Sequence, residues 1–75
     1  MHNNIITDRA ATMRPGDRAR LQIGAYPFPT YDFCKVTAIE NNPFEPDTVI
    51  VWYEGRGNKF EDILGRDELL NILRY

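Results

Sequence analysis

Asp47-Thr-Val-Ile-Val-Trp-Tyr-Glu-Gly-Arg-Gly-Asn-Lys-Phe-Glu-Asp-Ile-Leu64 is the stretch whose reading decides the fold. Thr48 to Tyr53 is β-branched or aromatic throughout, which suits a pleated and well-buried strand. Gly55-Arg56-Gly57-Asn58 supplies residues that tolerate positive φ, so the chain can reverse there. Lys59 to Leu64 leads back as a second strand. The spacing predicts a strand-turn-strand unit against which the rest of the chain packs. Along its first arm Val49, Val51 and Tyr53 point one way and Ile50 and Trp52 the other, so both faces are apolar.

Upstream, Pro15-Gly16-Asp17 is a turn signal, and Arg18-Ala-Arg-Leu-Gln-Ile23 alternates strictly. Ala19, Leu21 and Ile23 share a core face, while Arg18, Arg20 and Gln22 form a basic outer face. Gly24-Ala-Tyr-Pro-Phe-Pro-Thr30 cannot continue that strand, because Pro27 and Pro29 lack the N–H a ladder needs. The result is a stiff loop carrying Tyr26 and Phe28, with Tyr31 just beyond. Asp32 to Glu40 reads as the next strand, with Cys34, Val36 and Ala38 on one face and Phe33, Lys35, Thr37 and Ile39 on the other. Asn41-Asn-Pro-Phe-Glu-Pro-Asp47 is a hairpin loop by composition. Downstream, Gly65 ends the fourth strand, Arg66-Asp-Glu-Leu-Leu70 suits a helical or 3₁₀ turn, and Asn71 to Tyr75 a short closing strand.

Residues 1–13 offer only Ile5, Ile6, Ala10, Ala11 and Met13 for burial. Thr7 to Met13 could form a helical turn or two, a length marginal in water without docking. These residues are expected to be a flexible or short helical tail, or a segment ordered only by packing or by a partner. His2, beside Asn3, reads as a surface residue. The expected organisation is therefore a tail over 1–13 and one domain over 14–75. That domain is an all-β, five-stranded SH3-like barrel with a 3₁₀ turn before its last strand, closed because an open sheet leaves edges exposed.

Seventy-five residues make one small domain with a thin core, burying roughly 60% of the unfolded surface. Nine Lys and Arg against eleven Asp and Glu give a net charge of −2, which argues against binding to phosphate backbones through overall charge and leaves a local basic stripe open. Cys34 is the single cysteine, so no intramolecular disulfide forms, and it reads as a buried small hydrophobe. No apolar run approaches the ~20 residues of a membrane span, and no leader pattern opens the chain, so a cytoplasmic location is expected. One histidine leaves no catalytic triad and no metal-ligand spacing. On a strand Glu61 and Asp62 face opposite sides and cannot act as an acid/base pair. Neither an enzyme nor a cofactor is expected.

Val49-Ile-Val-Trp-Tyr53-Glu-Gly55-Arg-Gly57-Asn58, followed by Asp67-Glu-Leu69-Leu70, resembles the third and fourth strands and closing turn of Tudor domains, above all the survival motor neuron type. Cys34 to Glu40 is similar to that family's second strand and Gly16 to Arg20 to its first, so the resemblance covers roughly residues 16–73. It implies an SH3-like barrel holding methylated arginine or lysine in an aromatic cage, a cation over π faces. Residue by residue, Tyr53 matches the cage tyrosine that ends the third strand and Asn58 the cage asparagine. Tyr31 lies within one position of the second cage tyrosine, and Phe28 or Tyr26 stands for the loop aromatic. The turn aromatic is replaced by Arg56, whose fixed charge favours a carboxylate, a phosphate or an acidic peptide.

The function expected is a non-catalytic module that takes a protein or peptide partner through an aromatic groove of Tyr26, Phe28, Tyr31, Tyr53, Arg56 and Asn58. Ile50 and Trp52 would form an interface covered by the N-terminal tail, a second copy in a homodimer, or another partner. The alternative is a nucleic-acid or ribonucleoprotein binder using Arg18, Arg20 and Lys35, since Gly16 to Gly24 also resembles the opening of KOW-type barrels. A third reading is a small accessory protein that blocks a larger machine.

Overall fold

The computed structural model describes residues 4–74, so His2 and Tyr75 lie outside the described residues. Six strands form one antiparallel sheet: β1 (Asn4–Arg9), β2 (Arg18–Gly24), β3 (Thr30–Asn41), β4 (Thr48–Gly55), β5 (Asn58–Gly65) and β6 (Leu69–Arg74). A 3₁₀ turn, Ala10–Thr12, separates the first two. The expected hairpin is β4–β5. Its two central residues are Arg56 at φ 49° and Gly57 at φ 77°, the left-handed pair that matches the twist of the flanking strands. Arg56 accepts the strain a side chain meets there, whereas Gly57 does not incur it.

The strand order is β1-β6-β2-β3-β4-β5. Strands β2 to β5 lie where the sequence places them, and β6 begins at Leu69, two residues before the expected closing strand; the five form a meander whose last strand returns beside its first. The sheet is not a closed barrel, however: β1 and β5 are its two ends, so both edges remain. The turn before β6 is also not 3₁₀ but a reverse turn, closed by the Glu68 N–H donating to the Gly65 carbonyl at 3.2 Å. The 3₁₀ turn lies instead at Ala10–Thr12.

The sixth strand comes from the segment expected to be a tail. Asn4–Arg9 pairs with β6 along its whole length, from Asn4 opposite Arg74 to Arg9 opposite Leu69. Beyond it, the Ala10 and Ala11 N–H groups donate to the Glu68 and Arg66 carbonyls at 2.8 and 3.0 Å. Ala10 and Met13 are buried in the core. Arg74 fastens the segment from the other side, donating to the Thr12 carbonyl at 2.7 Å and to Asp17 Oδ2 at 3.1 Å, with Asp8 Oδ2 at 3.5 Å. Docking supplies the order that seven weakly helical residues could not supply alone.

The core joins Ala19, Leu21, Cys34, Val36, Val49, Val51, Tyr53 and Ile72 to Ala10 and Met13. Alternation holds along β4, where Val49, Val51 and Tyr53 are buried and Ile50 and Trp52 half-buried. In β3 it breaks at a bulge between Val36 and Ala38. Beyond the bulge Ile39 sits opposite Val51 and packs on the core, while Ala38 sits opposite Trp52 on the outer face. The expected assignment of these two residues is thereby exchanged, because one extra residue in a strand of period two moves every later side chain to the other side.

Candidate functional site

Two features of the sheet carry the candidate chemistry: the seam left by its failure to close, and its outer face over β2 and β3.

The seam runs between β5, an end strand, and the second half of β2. β2 pairs with β6 only at Arg18 and Ala19, so from Arg20 onward the edge of β2 on that side has no strand beside it. Two adjoining concavities of about 310 and 200 Å³ lie along this gap and share Gln22 and Asp62. The first adds Ile23, Tyr53, Phe60 and Glu61; the second adds Arg20, Tyr31, Leu64 and Glu68. The floor is fixed by Tyr53, which is 3% exposed. Its ring stacks on Phe60, opposite it in β5, with centroids 5.3 Å apart, and its hydroxyl donates to the Gln22 carbonyl at 2.6 Å. Burial, then the charges of Asp62 and Cys34, push the Tyr53 phenol up to about 12. Tyr53 is thus a strut between the two banks, with its donor already engaged. Asp62 lies opposite Val51 on the inner side of β5, an inward charge of the kind that discourages uncontrolled pairing at a sheet edge. Glu61 lies opposite Trp52 on the outer side, so the two carboxylates do face apart as the sequence implies.

The expected six-residue groove is divided. Tyr31 and Tyr53 line adjoining parts of the seam, but Arg56 and Asn58 line a separate concavity of about 390 Å³ with Arg18, Phe33, Lys35 and Lys59. Arg56 Nε donates to Asp32 Oδ2 at 2.9 Å, tying the hairpin turn to the start of β3. That bond and the Phe33 N–H hold the Asp32 carboxyl below its ordinary range. Asn58 Nδ2 donates to the Arg56 carbonyl at 3.4 Å. Tyr26 and Phe28 stand 95% and 74% exposed on the loop and line none of these three concavities.

Register explains the outer face. Arg18 is directly opposite Lys35, Lys35 opposite Glu54, and Glu54 opposite Lys59, so one row of charges crosses four strands. Arg20 is opposite Phe33, two residues along, and its guanidinium lies 4.9 Å from the Tyr31 ring centroid. Arg18, Arg20 and Lys35, a stripe in sequence, are therefore one surface in space. Ile50 and Trp52 lie further across the sheet, opposite Ile63 and Glu61, and Trp52 Nε1 donates to Glu61 Oε1 at 2.7 Å. β1 pairs with β6 and not with β4 or β5.

Cys34 is buried, with its thiol pushed up chiefly by desolvation and then by Asp32, which removes nucleophilic character. Among the described residues no cluster of His, Cys, Asp and Glu could hold a metal ion, and no helix is long and apolar enough to cross a membrane. Sequence reasoning missed Gln22, Phe60 and Asp62. The signal was available for Asp62: period two from Phe60 through Leu64 places a carboxylate on an otherwise apolar face. Models of known families, curated proteins and solved structures were compared with the chain, and none matches.

Proposed function

We propose that this protein is a non-catalytic binding module of the SH3-like, Tudor-like kind, recognising an extended protein or peptide segment along the seam between β5 and β2. The observation that carries the reading is the pair of adjoining concavities bounded by two strand edges without neighbours. An extended segment can satisfy such edges with its own main chain, while side-chain hollows select what it carries. Phe60 and Tyr53 supply an aromatic wall, and Asp62, Glu61 and Glu68 outnumber Arg20 among the charges, which favours a segment bearing a cation. The strut from Tyr53 to Gln22 preorganises the gap and lowers the ordering cost of binding.

The test is an amide-shift titration with extended peptides carrying arginine or lysine, each with and without methyl groups. Shifts are expected at Gln22, Ile23, Phe60, Glu61 and Asp62. Absence of a shift there with every peptide overturns the reading. Equal response to methylated and unmethylated forms assigns selectivity to Asp62 rather than to an aromatic cage.

A further inference from the structure

We propose that the outer face from β2 and β3 across to the start of β5 binds single-stranded nucleic acid, with phosphates held by Arg18, Lys35 and Lys59 and a base stacked on Phe33. This inference does not rest on the seam reading, although the two surfaces meet at Arg20 and Tyr31.

The first ground is an unbalanced charge. The concavity beside the β4–β5 turn brings together Arg18, Lys35, Arg56 and Lys59, with the carboxylate of Glu54 in its wall and that of Asp32 paired to Arg56. Four of the nine Lys and Arg of an acidic chain therefore meet at one hollow. Among the described residues Arg18, Lys35 and Lys59 make no ion pair, whereas Arg9, Arg56 and Arg74 all do. Arg18 and Lys35 are direct cross-strand neighbours, a like-charge arrangement that works against sheet stability and that an anion between them relieves. Arg56 spends only Nε on Asp32, leaving the outer N–H groups of its fork for a phosphate.

The second ground is the aromatic content of the same face. Phe33 lines the hollow and shares the outer side of β3 with Lys35, two residues on. Next to it Arg20 already lies over the ring of Tyr31, a residue that is 46% exposed. Cations alternating with rings along an open strand pair is the arrangement that tracks a backbone while stacking successive bases. Carboxylates alone satisfy the cations, whereas a nucleotide strand brings both an anion for the cations and a base for Phe33. The net charge of −2 does not oppose this, because charges more than about 8–10 Å away are screened at physiological salt.

The experiment is fluorescence anisotropy of a labelled twelve-nucleotide oligo-dT or oligo-U with the full chain, over a salt series. Binding should weaken with salt, with a log–log slope of about −2 for three phosphate contacts on a single strand. Lys35→Gln and Lys59→Gln should each make that slope shallower. Phe33→Leu should weaken binding by roughly 5- to 150-fold, the range of one lost base stack, while leaving the slope unchanged. Circular dichroism checks that each variant folds, and if Phe33→Leu does not, the exposed pair Lys35→Gln and Lys59→Gln carries the decision. No binding at low salt overturns the proposal. So does binding that poly-glutamate competes as well as oligonucleotide does, or that folded Phe33→Leu leaves intact, since either marks a general polyanion surface.

Discussion

The β4–β5 hairpin and the β1–β6 ribbon are both antiparallel pairs at the ends of one sheet, and they are held by opposite means. The hairpin joins neighbours in sequence through Arg56 and Gly57, and its first arm puts Val49, Val51 and Tyr53 into the core. The ribbon joins the two ends of the chain, and Asn4 to Thr7 are exposed along it. What holds the ribbon is a few distant anchors: Ile72 opposite both Ile6 and Ala19, the ion cluster of Arg74, and the plug of Ala10 and Met13. A hairpin of this kind is specified by short-range preferences, whereas the ribbon forms only when the rest of the sheet has. Function divides along the same line. The hairpin supplies one bank of the seam and one wall of the basic hollow, and the ribbon completes the core behind them.

Ile72→Ala gives the largest expected effect on this contrast. Ile72 is fully buried where β1, β6 and β2 meet, so the truncation should cost about 2–5 kcal/mol by denaturant titration. Amide exchange should rise first in residues 4–13, and equal acceleration in β4 would erase the distinction between the two ends. Gly55→Ala probes the hairpin instead. A Cβ at Gly55 would meet Cys34 Sγ at 2.7 Å inside the core, and about 1–3 kcal/mol should be lost, with exchange rising in β4 and β5.

Arg74→Met keeps the stem of the side chain and removes its polar head, leaving Asp17 Oδ2 with only the Arg14 N–H as donor. A loss of about 1–3 kcal/mol is expected, again localised to the ribbon. Tyr53→Phe should have the smallest effect at neutral pH, about 1 kcal/mol for the bond to the Gln22 carbonyl, with weaker peptide binding as the seam loses its strut. It also sharpens the comparison at high pH. The folded phenol is raised above its ordinary 10.0 to about 12, so its contribution is fully present below pH ~10 and is lost as pH rises through ~12. That alkaline loss should be visible in the parent and absent from Tyr53→Phe.

The amino-acid sequence by itself determined where β2 to β5 and the glycine-bearing turn lie, the burial of alternate residues in β4, and the separation of Glu61 from Asp62. Each of these follows from preferences acting over a few residues: β-branched side chains, tolerance of positive φ, and a side-chain period of two. Tertiary structure alone decided that Asn4–Arg9 is a strand, because that depends on the edge offered by β6. It also exchanged Ala38 with Ile39 at the bulge, kept the sheet open, and parted Arg56 and Asn58 from the tyrosines. These outcomes are settled by register between strands far apart in the chain, and no local preference encodes that register.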